Sequence, residues 1–303
     1  MKQPMYKYMK VGLIHFMAYP EVMGGEGKTL ETLKKIAVDD YFNAVEVTWI
    51  KDDATRAKAR DMLETSHLHI AYGSSPRTLT TGLNPNDLNE EGRKKAVETL
   101  KAGIDEAYYL GAGAYSYLSG KYEEDKKDEA YAALVKSTME ICEYAKSKGD
   151  MKIALEVFDY DIDKKSIIGP APLARRFAED IRMKYNNFGL LVDLSHMPLI
   201  HETIKQSILP VSEYIIHAHM GNCVVKDPSM PGYGDLHPRF GFANGENDVA
   251  ELTEFLRVLL DIGFLNEQDP PIVSFEVKPF GDEDPDVVVA NAKRTLNEAW
   301  ARL

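Results

Sequence analysis

Short apolar runs alternate with amphipathic stretches along the whole chain. The runs predict strands at 11–17, 44–49, 68–72, 114–118, 152–157, 190–193, 214–219 and 272–277. Most are apolar at consecutive positions, as strands buried on both faces of a parallel sheet are. Between them apolar residues recur at helical spacing, as Ala96, Val97, Leu100, Ile104 and Ala107 do within 89–110. Helices are predicted at 30–38, 52–64, 89–110, 126–148, 172–185, 200–208, 249–262 and 285–303. Eight strand–helix units with no linker predict one (β/α)8 TIM barrel, a single domain over 1–303. A doubly wound open sheet is the competing architecture. It more often carries a G-x-G-x-x-G fingerprint after its first strand, and that spacing is absent here.

Two stretches break the rhythm. Gly24, Gly25, Gly27, Lys28 and Thr29 resemble a phosphate-cradling loop, but Val22 stands where its first glycine belongs. A flexible loop is expected there rather than a nucleotide site. The second is a long loop at 220–247.

Barrel active sites form where the carboxyl ends of the strands meet, so polar residues at those ends are the candidate chemistry. Strand five ends at Glu156, strand six at Asp193, strand seven at His219 and strand eight at Glu276, each within apolar sequence. Asp193 alone reads equally as the cap of a following helix, with Pro198 ending the strand and His196 in the loop. Taken together, three buried carboxylates and an imidazole on one rim would repel without a cation. A divalent ion resolves that. The oxygen-rich set favours Mn first, with Mg or Co as alternatives, over a thiolate zinc site. The competing reading is a set of unrelated salt bridges at the barrel mouth.

Composition narrows the partners. The chain has 303 residues, 44% hydrophobic and 28% charged, enough for a large core. A net charge of -12 argues against a nucleic-acid backbone as the main partner. Cys142 and Cys223 lie far apart, so no disulfide framework is implied and a cytoplasmic location is expected. The first ten residues lack the apolar core of a signal peptide, and no run of about 18 apolar residues suggests a membrane span.

The segments Leu155-Glu156, Asp193-Leu194-Ser195-His196, His219-Met220-Gly221-Asn222 and Phe275-Glu276 resemble the metal-site segments of the xylose-isomerase-like barrels. That superfamily includes sugar and sugar-phosphate isomerases, ketose 3-epimerases and endonuclease IV. The resemblance spans the barrel and is carried mainly by 152–280. It implies Glu156, Asp193, His219 and Glu276 as metal ligands. It implies Glu156 and Glu276 also as the catalytic acid/base pair, and His196 as a substrate contact. The implied activity is a metal-dependent sugar isomerase or epimerase working by proton abstraction beside a carbonyl.

This chain departs from the ketose 3-epimerase pattern. Asn222 replaces the usual glutamate, the arginine that follows falls at Val225, and a second glutamate falls at Ile162 between Asp161 and Asp163. Asp235 and His237 resemble the second-metal pair of endonuclease IV. They would hold a second ion with His196, or orient the loop and touch substrate. Endonuclease IV also uses histidines after strands three and four, which here end at Tyr72 and Tyr117. Arg239 is the best candidate for an anionic or hydroxyl-rich substrate.

Trp49, Tyr72, Tyr117 and Phe158 at the strand ends read as stacking surfaces for a sugar or aglycone, or as packing. Trp49 is kept as a substrate-binding candidate. His15 reads as a pocket residue or a satisfied core histidine, and Cys223 as packing. The runner-up activity is a carbon–carbon lyase on a 3-oxo-glycoside, similar to the barrel subunit of C-glycoside deglycosidases, with a small β-rich partner subunit. A homo-oligomer is the other assembly expected. An endonuclease IV-like nuclease and a non-catalytic carbohydrate-binding barrel complete the alternatives.

Overall fold

In the computed structural model, which describes residues 3–303, the strands are β1 Lys10–Ile14, β2 Ala44–Val47, β3 His69–Gly73 and β4 Ala114–Leu118. They continue with β5 Lys152–Glu156, β6 Phe188–Asp193, β7 Ile215–Gly221 and β8 Ile272–Glu276. All pair in parallel in sequence order, and β8 returns to β1. This is the closed barrel that the alternation predicts, and the open sheet is excluded. The helices are α1 His15–Ala18, α2 Thr29–Ala37, α3 Asp53–Ser66, α4 Ser75–Leu79, α5 Glu90–Tyr109 and α6 Lys127–Lys148. They continue with α7 Ala171–Arg182, α8 His196–Leu199, α9 Ile204–Ile208, α10 Val249–Asp261 and α11 Pro285–Ala301.

The strands are buried along nearly their whole length because the long helices cover the barrel's outer face and side chains fill its interior. On α5 the buried set includes Ala96, Val97, Leu100, Ile104 and Ala107, as the spacing predicts. Helix starts are fixed locally. Asn89 accepts from the backbone of Glu91 and Gly92, and Asp284 from Asp286 and Val287. Asp248 and Glu251 close a capping box on α10. No helix among the described residues is long and apolar enough to cross a membrane.

Three differences from the sequence expectation matter for the site. β1 stops at Ile14, and His15–Ala18 turns into α1, which buries His15 against Thr32 Oγ1 at 2.7 Å. Pro198 does not end β6. The strand stops at Asp193 and Pro198 sits inside α8, where a helix's first turn tolerates it. The polar stretch after β3 forms α4, with Pro76 in its first turn.

A register shift between β6 and β7 aligns the rim. Leu190 pairs with Ile215 but Leu191 pairs with His217, so Ile216 is an extra residue on β7. Past this bulge Asp193 stands opposite His219, and β8 brings Glu276 opposite Gly221. Gly221 lets the chain pass closely. A Cβ there would meet Glu276 O at 2.8 Å and His237 Nδ1 at 3.1 Å.

Candidate active site

Glu156, Asp193, His219 and Glu276 are all buried at the carboxyl ends of β5 to β8. One ligand atom from each lies within 4.8 Å of every other. His219 Nδ1 stands 2.7 Å from Glu276 Oε2 and 3.4 Å from Glu156 Oε1. Glu156 Oε1, Asp193 Oδ2, His219 Nδ1 and Glu276 Oε2 are buried without a hydrogen-bond partner. Ligands about 2.1 Å from an ion stand roughly 3–4.2 Å apart around it. Four donors gathered within 4.8 Å of one another, three oxygens and one nitrogen, are a set that a divalent cation could draw into that spacing.

The charges support the same reading. Burial, with Glu276 beside it, pushes the Asp193 carboxyl up, although His196, His237 and His219 oppose this. Burial works against charge on His219, yet Glu46 and Glu276 outweigh it and hold that imidazole well above its ordinary pKa. The crowded carboxylates thus favour positive charge at this rim, which a bound cation would supply with His219 neutral as its ligand.

A second cluster adjoins the first. Asp193, His196 and His237 also offer mutually close ligand atoms. His196 Nε2 is 3.1 Å and His237 Nε2 2.8 Å from Asp235 Oδ1. The His196 Nδ1 edge donates to Val157 O at 2.9 Å, which leaves Nε2 without a hydrogen-bond partner. Burial opposes charge on both rings, but Asp235 and Asp193 raise His196 to about 10, and Asp235 and Glu276 raise His237 to about 9. Against burial, His237, Lys164 and His196 hold Asp235 well below the usual carboxylate range. His237 itself takes a left-handed backbone, φ 49°, uncommon for a residue with a side chain.

A cavity of about 200 Å³ opens above these groups. Glu156, His219, Asp235, His237 and Glu276 form its polar side, joined by Glu46, Lys164 and Lys278. Lys164 donates to Asp235 Oδ2 at 2.8 Å. Its loop is wound around Asp159, whose carboxylate accepts backbone N–H groups from Ile162 to Lys165. The other side is apolar, with Phe16, Met17, Met23, Leu79, Phe158 and Leu236.

The structure thus brings together Glu156, Asp193, His219, Glu276, His196, Asp235 and His237. Two substrate candidates stay out. Arg239 donates Nε to Glu283 at 2.8 Å and does not line the cavity. Trp49 donates to Met23 O at 2.9 Å and packs against Gly25, so it braces the glycine-rich loop. His196 is buried but does not line the cavity either. Asn222, the residue that departs from the epimerase pattern, is fully buried and ties the long loop down. It accepts from Cys223 and Asn247 and donates to Arg239 O. Glu46, Lys164 and Lys278 are the charged cavity residues missing from the sequence-based site. A charge between Val45 and Val47 in a buried strand was the available signal for Glu46.

Residues 35–297 match the family of xylose isomerase-like TIM barrels. The chain belongs to this family. No curated protein sequence matches it at a significant level. Among solved structures the fold is similar to the IolI protein with a bound zinc atom, at 16% identity over 97% of this chain and 99% of that one, TM-score 0.73. It is similar to D-psicose 3-epimerase from Clostridium cellulolyticum, solved with D-tagatose, at 18% identity over 97% and 98%, TM-score 0.68. It is also similar to the 3-keto-D-glucoside 4-epimerase YcjR of E. coli, at 15% identity over 97% and 99%, TM-score 0.61. At these identities the likeness is one of fold.

Proposed function

We propose that this chain is a divalent-metal-dependent sugar isomerase or epimerase that moves a proton on the carbon beside a carbonyl. The observation that carries the reading is the set of four unpartnered ligand atoms on Glu156, Asp193, His219 and Glu276. They would hold one ion, Mn before Mg or Co. The ion, when bound, supplies Lewis-acid stabilisation of an enolate oxygen. Glu156 and Glu276 both line the cavity, so either carboxylate reaches a bound sugar. One accepts the carbon-bound proton as the C–H pair moves into the enolate. The other returns a proton, on the opposite face for an epimer or at the neighbouring carbon for an isomer. Two epimerases among the structures similar in fold support this reading. The free, buried cysteines fit a cytoplasmic enzyme.

The apolar wall favours a second reading. Leu79 and Leu236 line the cavity while staying 48% and 38% exposed. Such a wall suits an apolar substituent better than a free hexose. In a 3-oxo-glycoside, the same proton abstraction would expel the aglycone as the enolate collapses, making the chain the barrel subunit of a lyase. The nuclease reading loses ground because β3 and β4 end at Gly73 and Leu118 with no histidine.

The test is metal analysis of the purified protein, followed by incubation of candidate ketoses and 3-oxo-glycosides in deuterium oxide. Carbon-bound deuterium without loss of substituent supports the isomerase, and aglycone release supports the lyase. A metal-loaded protein that incorporates deuterium into none of them and releases no aglycone counts against both. Glu156→Gln is expected to lower turnover by about 10²- to 10⁴-fold while substrate still binds. A near-normal rate in that variant would remove Glu156 from the acid/base pair.

A further inference from the structure

Glu46 lies on β2, across the barrel from β7, and is buried between Val45 and Val47. Its Oε1 is 2.6 Å from His217 Nε2 and 3.0 Å from His219 Nε2. One carboxylate oxygen lying this close to two ring nitrogens accepts from both, so each Nε2 carries hydrogen and donates to it. In neutral His219 the lone pair is then on Nδ1, the unpartnered atom that faces Glu276 and Glu156.

We propose that Glu46 is a positioning residue for the metal site. By accepting the Nε2 proton of His219 it fixes the ring orientation and tautomer that present Nδ1 to a divalent ion. His217 donates to the same oxygen and so fixes the direction of the Glu46 carboxylate. Glu46, His217 and His219 also stand close enough to be ligands themselves. Their facing atoms are already hydrogen-bonded to one another, whereas those of Glu156, Asp193 and Glu276 are not. That difference separates a support from a ligand. A carboxylate behind a ligating histidine typically contributes about 10- to 100-fold in metal affinity.

The inference rests on the metal reading of the proposed function, and the experiment separates the two. Full-length wild type, Glu46→Ala and Glu46→Gln are stripped of metal, checked for native circular dichroism, and titrated with Co²⁺ by calorimetry and visible absorption. Glu46→Ala is expected to bind about 10- to 100-fold more weakly, with a shifted Co²⁺ ligand-field band. Glu46→Gln keeps an acceptor oxygen and is expected to fall between, which also covers the case of an unfolded alanine variant. Wild-type affinity and an unchanged band in a folded variant overturn the role of Glu46 alone. A wild-type chain that binds no Co²⁺ overturns the metal site as well. Loss of one whole ion per chain from either variant, with affinity at the remaining site unchanged, also overturns the positioning role, because Glu46 would then be a ligand.

Discussion

At the scale of single residues, His15 isolates what burial does to a titratable group. It is 2% exposed, meets no carboxylate, and burial lowers its pKa to about 3. The unfolded chain protonates it near the ordinary value of about 6.5. Because the folded pKa is the lower one, the unfolded state takes up the proton first. Stability from this residue is therefore present above about pH 6.5 and is lost as pH falls toward 3. Between pH 7 and 5 the loss is about 2 kcal/mol. Denaturant unfolding at both values should show this in wild type and about 2 kcal/mol less acid sensitivity in His15→Asn. Equal sensitivity in the two would mean that His15 is not held neutral. Residue-level reading of the sequence placed Glu156, Asp193, His219 and Glu276 on one rim, where the structure also gathers them, because a barrel dictates where side chains at its strand ends point. Trp49 and Arg239 stand in loops and do not line the cavity. There the path of the backbone, set by partners such as Met23 and Glu283, decides the direction.

At the scale of elements, the wall of the cavity depends on one buried ion pair. Arg77 on α4 pairs with Glu106 on α5 and donates to Tyr72 of β3 at 2.9 Å. Glu106 also accepts from the backbone N–H of Ile50, just beyond β2, at 2.7 Å. Both side chains are nearly buried, at 12% and 7% exposure. Removing one partner leaves the other charge uncompensated, which typically costs about 3–5 kcal/mol. Arg77→Met should lower the unfolding free energy by that amount. Arg77→Met combined with Glu106→Gln should recover much of it, since glutamine still accepts from Ile50. A strictly additive double variant would show that the pair carries no coupling. Because α4 carries Ser75, Pro76 and Leu79 on the cavity, the single variant should also raise KM. The strands were legible because most are buried on both faces and read as apolar runs. The bulge at Ile216 and the short helices α1, α4 and α8 were not. Bulges and single helical turns leave no periodicity, and tertiary contacts decide them.

At the scale of the whole molecule, the barrel accepts local cost at its rim. Glu156, Asp193 and Glu276 are pressed together under the cavity, and Asp193 holds an oxygen that finds no partner. If Asp193 were only a member of a stabilising salt-bridge set, replacing it would cost about 3–5 kcal/mol. If it serves a cation, the metal-free protein gains little from its charge. Asp193→Asn keeps an acceptor for the backbone N–H of Ser195, which Asp193 now binds at 2.7 Å. The expected result is a metal-free variant within about 1 kcal/mol of the metal-free wild type, because relief of desolvation and of repulsion from Glu276 offsets the lost attraction to His196 and His237. Added Mn²⁺ at about one hundred times its dissociation constant should then stabilise wild type by about 2.7 kcal/mol and the variant hardly at all. Thermal melts of both proteins, with chelator and with Mn²⁺, read all four values. A large loss in the metal-free variant, with no response of wild type to the ion, would show that the rim is held by its salt bridges alone.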